Sequence, residues 1–463
     1  MNNFFRVSHK SSKSKARLGE IKTDHGVIKT PAFISAATKG TIKSLPPQLI
    51  KEVGIQAGCV NTYHLVTHPG VEIIEKAGGI HKYSQLNMPL MSDSGGFQVF
   101  SLARASRDSV SQFFSHESLS PSGPLSKVQK IVSTSSPISS RKANIRREEE
   151  PFVIKISDDG VKFRSTYDGT LIEFTPEKSM EFQRQIGADI NMAFDECTYY
   201  PATHDYAEKA MERTHRWLER CIKAKSKILN HKSQINPKYK IKNFKSLEFG
   251  VSNLFGACNL EFSAYLYGVI QGGTFEDLRK KSAEFVVSQD TPGVAIGGVS
   301  VGETKAEMRE QVKWVSDYLP KDRPVHLLGV GQIDDIIDLV KYGVDTFDCV
   351  EPTRLARMGQ IYKAQISIFS NATPQRGPWR LSQKQKSSLS EQIDITKSIY
   401  KNNLEKVDKD CNCYVCQNFT KSYLHHLFKQ REILGYTLAT YHNLWVMERL
   451  FEKIREIIAD DLI

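Results

Sequence analysis

A carboxylate followed by two guanidinium groups is the first feature of the chain that could do chemistry. Asp348 lies near the end of the short apolar segment Val344–Val350, and Arg354 and Arg357 follow shortly downstream. A carboxylate at a strand end can attack an electrophilic carbon, and arginine forks bind phosphate. Two arginines three residues apart share one face of a helical turn. The group suits covalent catalysis on a phosphate-bearing substrate, although exposed arginines without a special role would look the same.

Asp93 is the second candidate for acid-base chemistry. Two adjacent glycines follow it, which allow close approach of a ligand to the backbone, and then Phe97, whose ring offers a flat face to a heterocycle. A carboxyl group at this point could exchange a proton with such a ligand. An Asp-Ser-Gly-Gly run is also a good turn, so the residues alone leave a structural role open.

Three further polar positions suit recognition of a planar base. Asp195 follows an apolar segment and could accept hydrogen bonds from paired N–H donors, as acidic side chains do with exocyclic amines. Gln271 and the Gly297-Gly298 pair place an amide and exposed backbone after two other apolar segments. Asp195 could instead cap a helix, and the glycines could form tight turns between strands and helices.

A cluster of cysteines near the end of the chain predicts a metal site. Three thiolates and one imidazole fill a tetrahedral zinc coordination sphere and leave no open position, which indicates a structural ion. The predicted ligands are Cys411, Cys413, Cys416 and His442. His425 and His426 are the competing imidazoles, and three unligated thiols beside an ordinary histidine are the simplest alternative.

Short apolar segments that end in polar residues alternate with longer stretches of helical period, which is typical of repeated βα units. The candidate strands are 56–63, 89–94, 189–195, 264–271, 294–298, 325–330 and 344–349. This number approaches the eight repeats of a (β/α)₈ barrel, although a doubly wound open sheet would look similar. The barrel is favoured because the polar residues follow the strands, and the carboxyl ends of barrel strands converge on one face.

Helix starts and added segments complete the organisation. Thr304–Glu307 has the pattern of a capping box, and Thr274–Asp277 opens another helix. Three stretches look like additions to the frame: the serine-rich 103–147, the lysine-rich 223–245 and the polar 367–410. The lysines could contact a phosphate backbone or form a solvated connection, and charge runs more often serve solubility.

Composition limits the class of protein. With 463 residues and 40% hydrophobic composition the chain can bury a large core, and a formal charge of +11 favours an acidic or polyanionic partner. No run has the length and apolarity of a membrane span, and the basic, polar start has no apolar signal segment, so we expect no membrane association and a cytoplasmic location. Scattered cysteines beside one cluster fit metal binding in a reducing compartment.

Taken together, six motifs in this order resemble the tRNA-guanine transglycosylases over about residues 6–463. They are Asn61–Leu65, Asp93–Gln98, Phe194–Cys197, Gly297–Glu303, Phe347–Val350 and the Cys/His set. The resemblance implies a (β/α)₈ barrel with a zinc-binding subdomain, and a pentosyltransferase that exchanges the wobble guanine of tRNAs with GUN anticodons for a 7-deazaguanine base. It implies one structural Zn²⁺ per subunit and a homodimer.

The resemblance also implies roles for single residues. Asp348 matches the nucleophile that attacks the ribose anomeric carbon, and Asp93 matches the general acid/base. Arg354 and Arg357 match residues that hold the anticodon loop around the flipped-out nucleotide. The positions that contact the base are Asp195, Gln271, Gly298, Phe97, Cys197, Val301 and Leu328.

Cys197 and Val301 resemble the bacterial branch, in which bulkier residues fit 7-aminomethyl-7-deazaguanine (preQ1) and not queuine with its cyclopentene ring. A queuine-inserting enzyme and a non-catalytic tRNA-binding subunit are the alternatives, and retention of Asp93 and Asp348 argues against the second. We expect residues 1–365 to form the catalytic barrel with its insertions, and residues 366–463 to form a linker, the zinc subdomain and the C-terminal helices.

Overall fold

Eight parallel strands of the computed structural model close into a barrel, which confirms the predicted (β/α)₈ fold class. The structure describes residues 4–97, 153–165, 168–233, 264–364 and 391–463. In spatial order the strands run β10, β11, β12, β13, β14, β4, β5 and β6, where β6 meets β10 again. The barrel strands are β4 (Ala32–Ala36), β5 (Ala57–Val60), β6 (Leu90–Ser92), β10 (Ile190–Met192), β11 (Tyr265–Ile270), β12 (Gly293–Ile296), β13 (Val325–Leu327) and β14 (Thr346–Cys349).

Every strand predicted from the sequence overlaps a barrel strand, and β4 is the strand that the sequence analysis did not name. Pairing of β14 with β4 closes the sheet, with Thr346 opposite Ala32 and Asp348 opposite Ile34. The segment Ala32–Ala36 is buried throughout, so it lacks the alternation that marks a half-exposed strand.

Helices surround the barrel, and most connect one strand to the next. They are α1 (Pro47–Val53), α2 (Thr62–Thr67), α3 (Val71–Lys76), α4 (Ile80–Ser84), α5 (Pro176–Ile186), α6 (His204–Ser233), α7 (Glu276–Ser288), α8 (Lys305–Val315), α9 (Ile333–Leu339), α10 (Glu351–Arg357), α11 (Tyr414–Asn418), α12 (Lys421–Gln430) and α13 (Ile433–Ala459). Single 3₁₀ turns lie at Val340–Tyr342 and Ser398–Tyr400.

Local sequence explains several helix boundaries. The capping box predicted at Thr304 is present, because its hydroxyl accepts from the backbone N–H of Glu307 while the Glu307 side chain accepts from the Thr304 N–H. Helix α7 begins at Glu276, within the predicted segment, with Phe275 as its N-cap residue. Helix α5 combines a Thr175 cap with proline in its first turn, and ends at Gly187, whose φ of 74° suits glycine.

Smaller antiparallel sheets accompany the barrel. They comprise β1 (Phe5–Lys10), β2 (Arg17–Thr23) and β3 (Gly26–Thr30); β7 (Val153–Ser157), β8 (Gly160–Arg164) and β9 (Leu171–Phe174); and β15 (Gln360–Tyr362) with β16 (Gln392–Asp394). Phe4, Ile21 and Ile28 from the first sheet join the buried side chains of the barrel interior, such as Met91 and Tyr267. The first sheet therefore packs on the end of the barrel interior.

The predicted additions are only partly covered by the structure. Residues 103–147, 234–245 and 367–390 lie outside the described residues. The start of the lysine-rich stretch corrects one expectation, because residues 223–233 belong to helix α6 and do not form a connection. Lys225 is largely buried there, and its ammonium donates to the Ala264 carbonyl, so this lysine has a structural contact.

The division at residue 365 stays a prediction, and β15 and β16 pair across it. Helix α13 also packs against β4, α1 and α10, so the C-terminal part of the chain lies directly on the barrel. Among the described helices, none combines the length and apolar character that crossing a bilayer requires.

A buried ion pair fastens the first sheet to the amino-terminal end of the barrel. The guanidinium of Arg17 donates from Nε to Asp345 Oδ1 at 2.9 Å and from a terminal nitrogen to Oδ2 at 2.6 Å. It also donates to the carbonyls of Pro320 and Arg323, and Asp345 accepts from the Val325 N–H. Every charge in this network is therefore compensated by several short contacts.

We predict that Arg17→Met lowers the free energy of unfolding by about 3–5 kcal/mol, because it leaves the Asp345 carboxylate buried without its partner. Urea unfolding monitored by circular dichroism measures the difference. Arg6→Met is the matched control: Arg6 pairs with Glu20 in the same sheet but is 64% exposed, and we expect a loss below about 1 kcal/mol. Equal losses in the two variants would contradict this assignment.

Candidate active site

Residues from most of the barrel strands, the majority of them with polar side chains, gather at the carboxyl end of the barrel. Each follows or ends a different strand, so closure of the barrel brings together residues that are far apart in sequence. They are Asn61 after β5, Asp93 after β6, Asp195 after β10, Gln271 after β11, Gly298 after β12, Leu328 after β13 and Asp348 within β14. The convergence expected from the sequence is present in the structure.

Asp348 is held through one of its two carboxylate oxygens. The N–H of Gly329 donates to Oδ1 at 2.9 Å, and Nε2 of His326 lies 3.3 Å from the same oxygen. Gly329 has a φ of 76°, a conformation that favours glycine. The Asp348 side chain is 18% exposed, whereas His326 beneath it is fully buried. Contacts with the described residues thus fix Oδ1 and leave Oδ2 to face a ligand.

Asp93 is a half-buried carboxyl group with several donors around it. The backbone N–H of Thr62 donates to its Oδ1 at 2.9 Å, the N–H of Gly95 donates to Oδ1 at 3.1 Å, and the amide of Asn61 donates to Oδ2. Burial nevertheless raises the pKa of Asp93 to about 7, and the negative charge of Asp348 contributes to the increase while the hydrogen bonds oppose it. At neutral pH Asp93 can therefore both give and take a proton.

Asp195 and Gln271 are a buried, hydrogen-bonded pair and line the candidate ligand pocket. Asp195 accepts from the Ser94 hydroxyl at 2.8 Å and from the Gln271 amide at 2.7 Å. Burial raises the pKa of Asp195, although both hydrogen bonds oppose the shift. The carbonyl oxygen of Gln271 is buried and has no hydrogen-bond partner among the described residues. An acceptor in that condition favours a ligand that brings an N–H donor. Asp195 does not cap a described helix.

Gly298 borders this pocket and must be glycine. Its φ is 60°, and a Cβ atom there would lie 2.2 Å from the Gln271 carbonyl oxygen. Arg279 of helix α7 holds the glycine turn from behind, with hydrogen bonds of 2.6 Å to the carbonyls of Gly297 and Gly298. A buried guanidinium therefore replaces the solvent that would otherwise satisfy these carbonyls.

Four apolar or weakly polar residues predicted to contact a base lie around the same face. Leu328 is half-buried and packs against the interior side chains of the barrel. Cys197 follows Asp195, and burial raises the pKa of its thiol, to which the charges of Asp195 and Glu303 add. Val301 lies in the turn that Glu303 closes by accepting its N–H. Phe97 is 49% exposed, which leaves its ring face accessible.

Cations form a cluster at the rim of this face. Arg354 and Arg357 project from the seven-residue helix α10, where Arg354 is exposed and Arg357 half-buried. Burial lowers the pKa of Lys43, and the positive charges of Arg357, Lys39 and Arg354 lower it further, so these four side chains lie near one another. Lys39 and Lys43 were not among the residues predicted from the sequence. They follow the barrel strand β4, which was also not predicted.

The Cys/His set predicted from the sequence is assembled as a buried cluster. One ligand atom from each of Cys411, Cys413, Cys416 and His442 lies within 4.8 Å of all the others. Nδ1 of His442 lies 3.2 Å from the Cys416 sulfur and 3.5 Å from the Cys413 sulfur, and Nε2 donates to the Tyr362 carbonyl at 2.8 Å. The donor set could hold a metal ion.

The competing histidines are not part of this cluster. Nδ1 of His425 contacts the Ile395 carbonyl at 2.8 Å, and the side chain of His426 is exposed. Asn443, the neighbour of His442, links the cluster to the active-site face. Its amide donates to the carbonyls of Pro352 in α10 and Gln360 in β15, and its oxygen accepts from the Tyr362 N–H.

Another group of potential ligands lies at the opposite end of the barrel. Asp189 precedes β10, and its two oxygens contact Nδ1 of His25 at 2.8 Å and Nε2 of His81 at 3.2 Å. The two imidazole rings are stacked, with centroids 3.4 Å apart and planes 7° apart. Because the rings are parallel, Nδ1 of His25 and Nε2 of His81 lie in two separate planes. Each nitrogen can therefore contact a different oxygen of the Asp189 carboxylate. We interpret the group as a tie between the β2–β3 turn and the barrel.

The matches to known proteins cover almost the whole chain. A family model described as queuine tRNA-ribosyltransferase matches residues 11–134 and 128–463. Queuine tRNA-ribosyltransferases of Caldanaerobacter subterraneus and Thermoanaerobacter pseudethanolicus are each 38% identical over 457 residues, which cover 99% of this chain and 94% of each relative. The protein of that name from Synechococcus elongatus is 35% identical over 457 residues, covering 99% of this chain and 91% of the relative.

The raised pKa of Asp93 has a consequence for stability. Between the ordinary value of 3.8 and the folded value of about 7, the unfolded chain releases this proton while the folded protein keeps it. The folded protein therefore loses stability as the pH rises through that interval. Asp93→Asn removes the titration, so we predict that its stability relative to the wild type increases by roughly 2–3 kcal/mol between pH 5 and pH 8. Urea unfolding at both pH values measures this change, and a difference independent of pH would contradict it.

Proposed function

Because the chain belongs to the queuine tRNA-ribosyltransferase family of pentosyltransferases, we propose that it exchanges the wobble guanine of tRNAs with GUN anticodons for preQ1 through a covalent Asp348–ribosyl intermediate. The observation that supports this most is the meeting of two carboxyl groups in different surroundings at the carboxyl end of the barrel. Asp348 has an accessible oxygen, and Asp93 holds a proton near neutral pH. A displacement in two steps needs this combination.

In the first step, Oδ2 of Asp348 attacks the anomeric carbon of the flipped-out nucleotide. A bond forms between that oxygen and the carbon as the bond to guanine breaks, and guanine leaves with the electron pair and a proton from Asp93. In the second step, a ring nitrogen of the incoming base attacks the same carbon, its proton passes to Asp93, and the Asp348 carboxylate is regenerated. Atoms and charges balance without a redox cofactor.

The pocket formed by Asp195, Gln271 and Gly298 suits a guanine-like edge. Asp195 offers a carboxylate to the ring N–H and exocyclic amine, and the Gln271 amide offers a buried acceptor that has no hydrogen-bond partner among the described residues. The missing side chain at Gly298 leaves its backbone open to the base. Phe97 from one side and Leu328 from the other would cover the two ring faces.

The preference for preQ1 rests on volume near the 7-substituent. Cys197 and Val301 both carry side chains beside this pocket, and Cys197 lies close to Asp195 and Glu303. An aminomethyl group needs less space than a cyclopentene ring, so filled positions favour preQ1 over queuine. The half-buried carboxylate of Glu303, which accepts from the N–H groups of Ser300 and Val301, adds a negative charge that favours an ammonium group.

Binding of tRNA is supported by the cation cluster of Lys39, Lys43, Arg354 and Arg357. All four lie at the rim of the face that carries Asp348, and their mutual repulsion lowers the pKa of Lys43. Neutralisation by phosphates would relieve that repulsion. We propose that Arg354 and Arg357 hold the anticodon loop and that the two lysines extend the same phosphate track.

We also propose that the Cys/His cluster holds one structural Zn²⁺ per subunit and that the protein forms a homodimer. Three thiolates and one imidazole match the preferred zinc donors, and the Tyr362 carbonyl fixes the tautomer of His442. The dimer is supported by exposed apolar side chains in the C-terminal part of the chain, at Ile399, Leu404 and Ile433. Light scattering of the active protein measures its mass, and a monomer with full activity would contradict the dimer.

The covalent route is tested by incubating labelled guanine with unmodified tRNA and separating any protein–tRNA adduct on a denaturing gel. We expect exchange and an adduct for the wild type, no adduct for Asp348→Asn, and a rate lower by roughly a thousandfold or more. Asp317→Asn, an exposed carboxylate at the other end of the barrel, is the control and should behave as the wild type.

The same reactions identify the incoming base when preQ1 and queuine are supplied separately and the tRNA is analysed by mass spectrometry. Incorporation of preQ1 alone is the expected result. Incorporation of queuine alone would overturn the proposed specificity. Binding of tRNA without exchange would instead indicate a non-catalytic subunit.

We predict that His442→Ala loses the bound zinc and lowers the melting temperature, because a closed structural site contributes directly to folding. His426→Ala is the matched control, since His426 is exposed and lies outside the cluster. Metal analysis and thermal unfolding measure both variants. Retention of zinc by His442→Ala, or its loss from His426→Ala, would contradict the ligand assignment.

A further inference from the structure

His326 is a fully buried histidine whose Nε2 lies beside Asp348. It lies in β13, paired with Ala295 of β12 and Thr346 of β14. Thr346 and Asp348 are two residues apart in one strand, so their side chains point to the same face. Ala295 belongs to the interior side chains of the barrel. The imidazole of His326 therefore lies inside the barrel, one layer below Asp348.

The two ring nitrogens have different partners, and these fix the tautomer. Nδ1 lies 2.9 Å from the Thr346 hydroxyl, and Nε2 lies 3.3 Å from Asp348 Oδ1. An ionised carboxylate only accepts hydrogen bonds, so Nε2 must carry the proton to be favourable there. With the proton on Nε2, Nδ1 can accept, and the Thr346 hydroxyl donates to it.

The contact with Asp348 is not a tight hydrogen bond in this state. Its length of 3.3 Å exceeds the 2.7–2.9 Å typical of a hydrogen bond to a charged group, and Nε2 has no well-aligned partner among the described residues. The Gly329 N–H already donates to the same oxygen at 2.9 Å. A small movement of Asp348 would complete a second donor contact on Oδ1.

We propose that His326 is a positioning residue that holds Oδ1 of Asp348 and promotes release of the ribosyl group from Oδ2. The inference rests on the covalent route proposed above. When the incoming base attacks, the bond between Oδ2 and the anomeric carbon breaks and its electron pair returns to the carboxylate. Negative charge then develops on both oxygens, and the Nε2–H donor stabilises the share on Oδ1.

This role separates the two half-reactions. The same donor also stabilises the free carboxylate before attack, so its loss affects formation of the adduct little. Loss of the donor should slow discharge of the adduct, and adduct should accumulate during turnover. A purely structural role of His326 would instead impair both half-reactions and stability together.

The test purifies the wild-type adduct and the adducts of variants, and measures their discharge by added guanine. We expect His326→Leu to slow discharge about tenfold to a hundredfold and to raise the adduct fraction at steady state. His326→Gln is the rescue variant, because its amide nitrogen can replace Nε2–H, and we expect discharge within about threefold of the wild type.

Thr346→Val keeps the imidazole and its volume but removes the hydroxyl that fixes the tautomer. Discharge should slow in this variant also, and adding Thr346→Val to His326→Leu should have no further effect, because Thr346 acts through His326. Circular dichroism reports whether the His326→Leu variant folds. If it folds poorly, the discharge rate of the single variant Thr346→Val remains informative.

Wild-type discharge rates in both His326→Leu and Thr346→Val would overturn the inference and leave the covalent route intact. The same result follows if His326→Gln is as slow as His326→Leu. Failure of the wild type to form any adduct would instead remove the covalent route itself, and this inference with it.

Discussion

Pairing between the first and last strands of the barrel is the interaction on which the rest of the structure depends. The β14–β4 register closes the sheet and sets Asp348 opposite Ile34. Two strands further along the closed sheet, β6 brings Asp93 to the same end. If the sheet were open between β14 and β4, β6 and β14 would be five strands apart instead of three. The ion pair between Arg17 and Asp345 supports this junction, since Asp345 precedes β14 and Arg17 begins β2.

Solvent exposure and hydrogen bonding give each carboxyl group at this barrel a different character. Asp345 is fully buried but paired with a guanidinium, and serves to hold two sheets together. Asp93 is half-buried and has only neutral donors, which do not offset its desolvation, so its pKa rises. Asp348 is partly exposed and fixed through one oxygen by a backbone N–H. Aspartate thus supplies a structural ion pair and, in the proposed reaction, an acid and a nucleophile, according to what surrounds it.

Sequence patterns predicted the parts of this arrangement that depend on chain order. Strand ends followed by polar residues located Asp93, Asp195, Gln271 and Asp348, because in a parallel barrel such residues must converge. The capping box at Thr304 and the Cys/His spacing were equally local. Strand β4 was not predicted because Ala32–Ala36 is buried on both faces and so lacks an alternating pattern. Lys39 and Lys43, which follow this strand, were therefore not predicted either. His326 and Arg279 could not be found this way, because their contacts depend on the register between strands and on how α7 packs.

The desolvation that raises the pKa of Asp93 also affects which substitutions such a protein can accumulate during evolution. A carboxyl group whose pKa lies near neutral pH because its site is desolvated makes the folded state less stable than an amide at the same position would. A population selected only for a robust fold would accumulate replacements at Asp93, whereas selection for turnover would remove them. Persistence of Asp93 in a lineage therefore indicates that the proposed reaction is still in use there. A copy of the gene that no longer serves this reaction should lose Asp93 early.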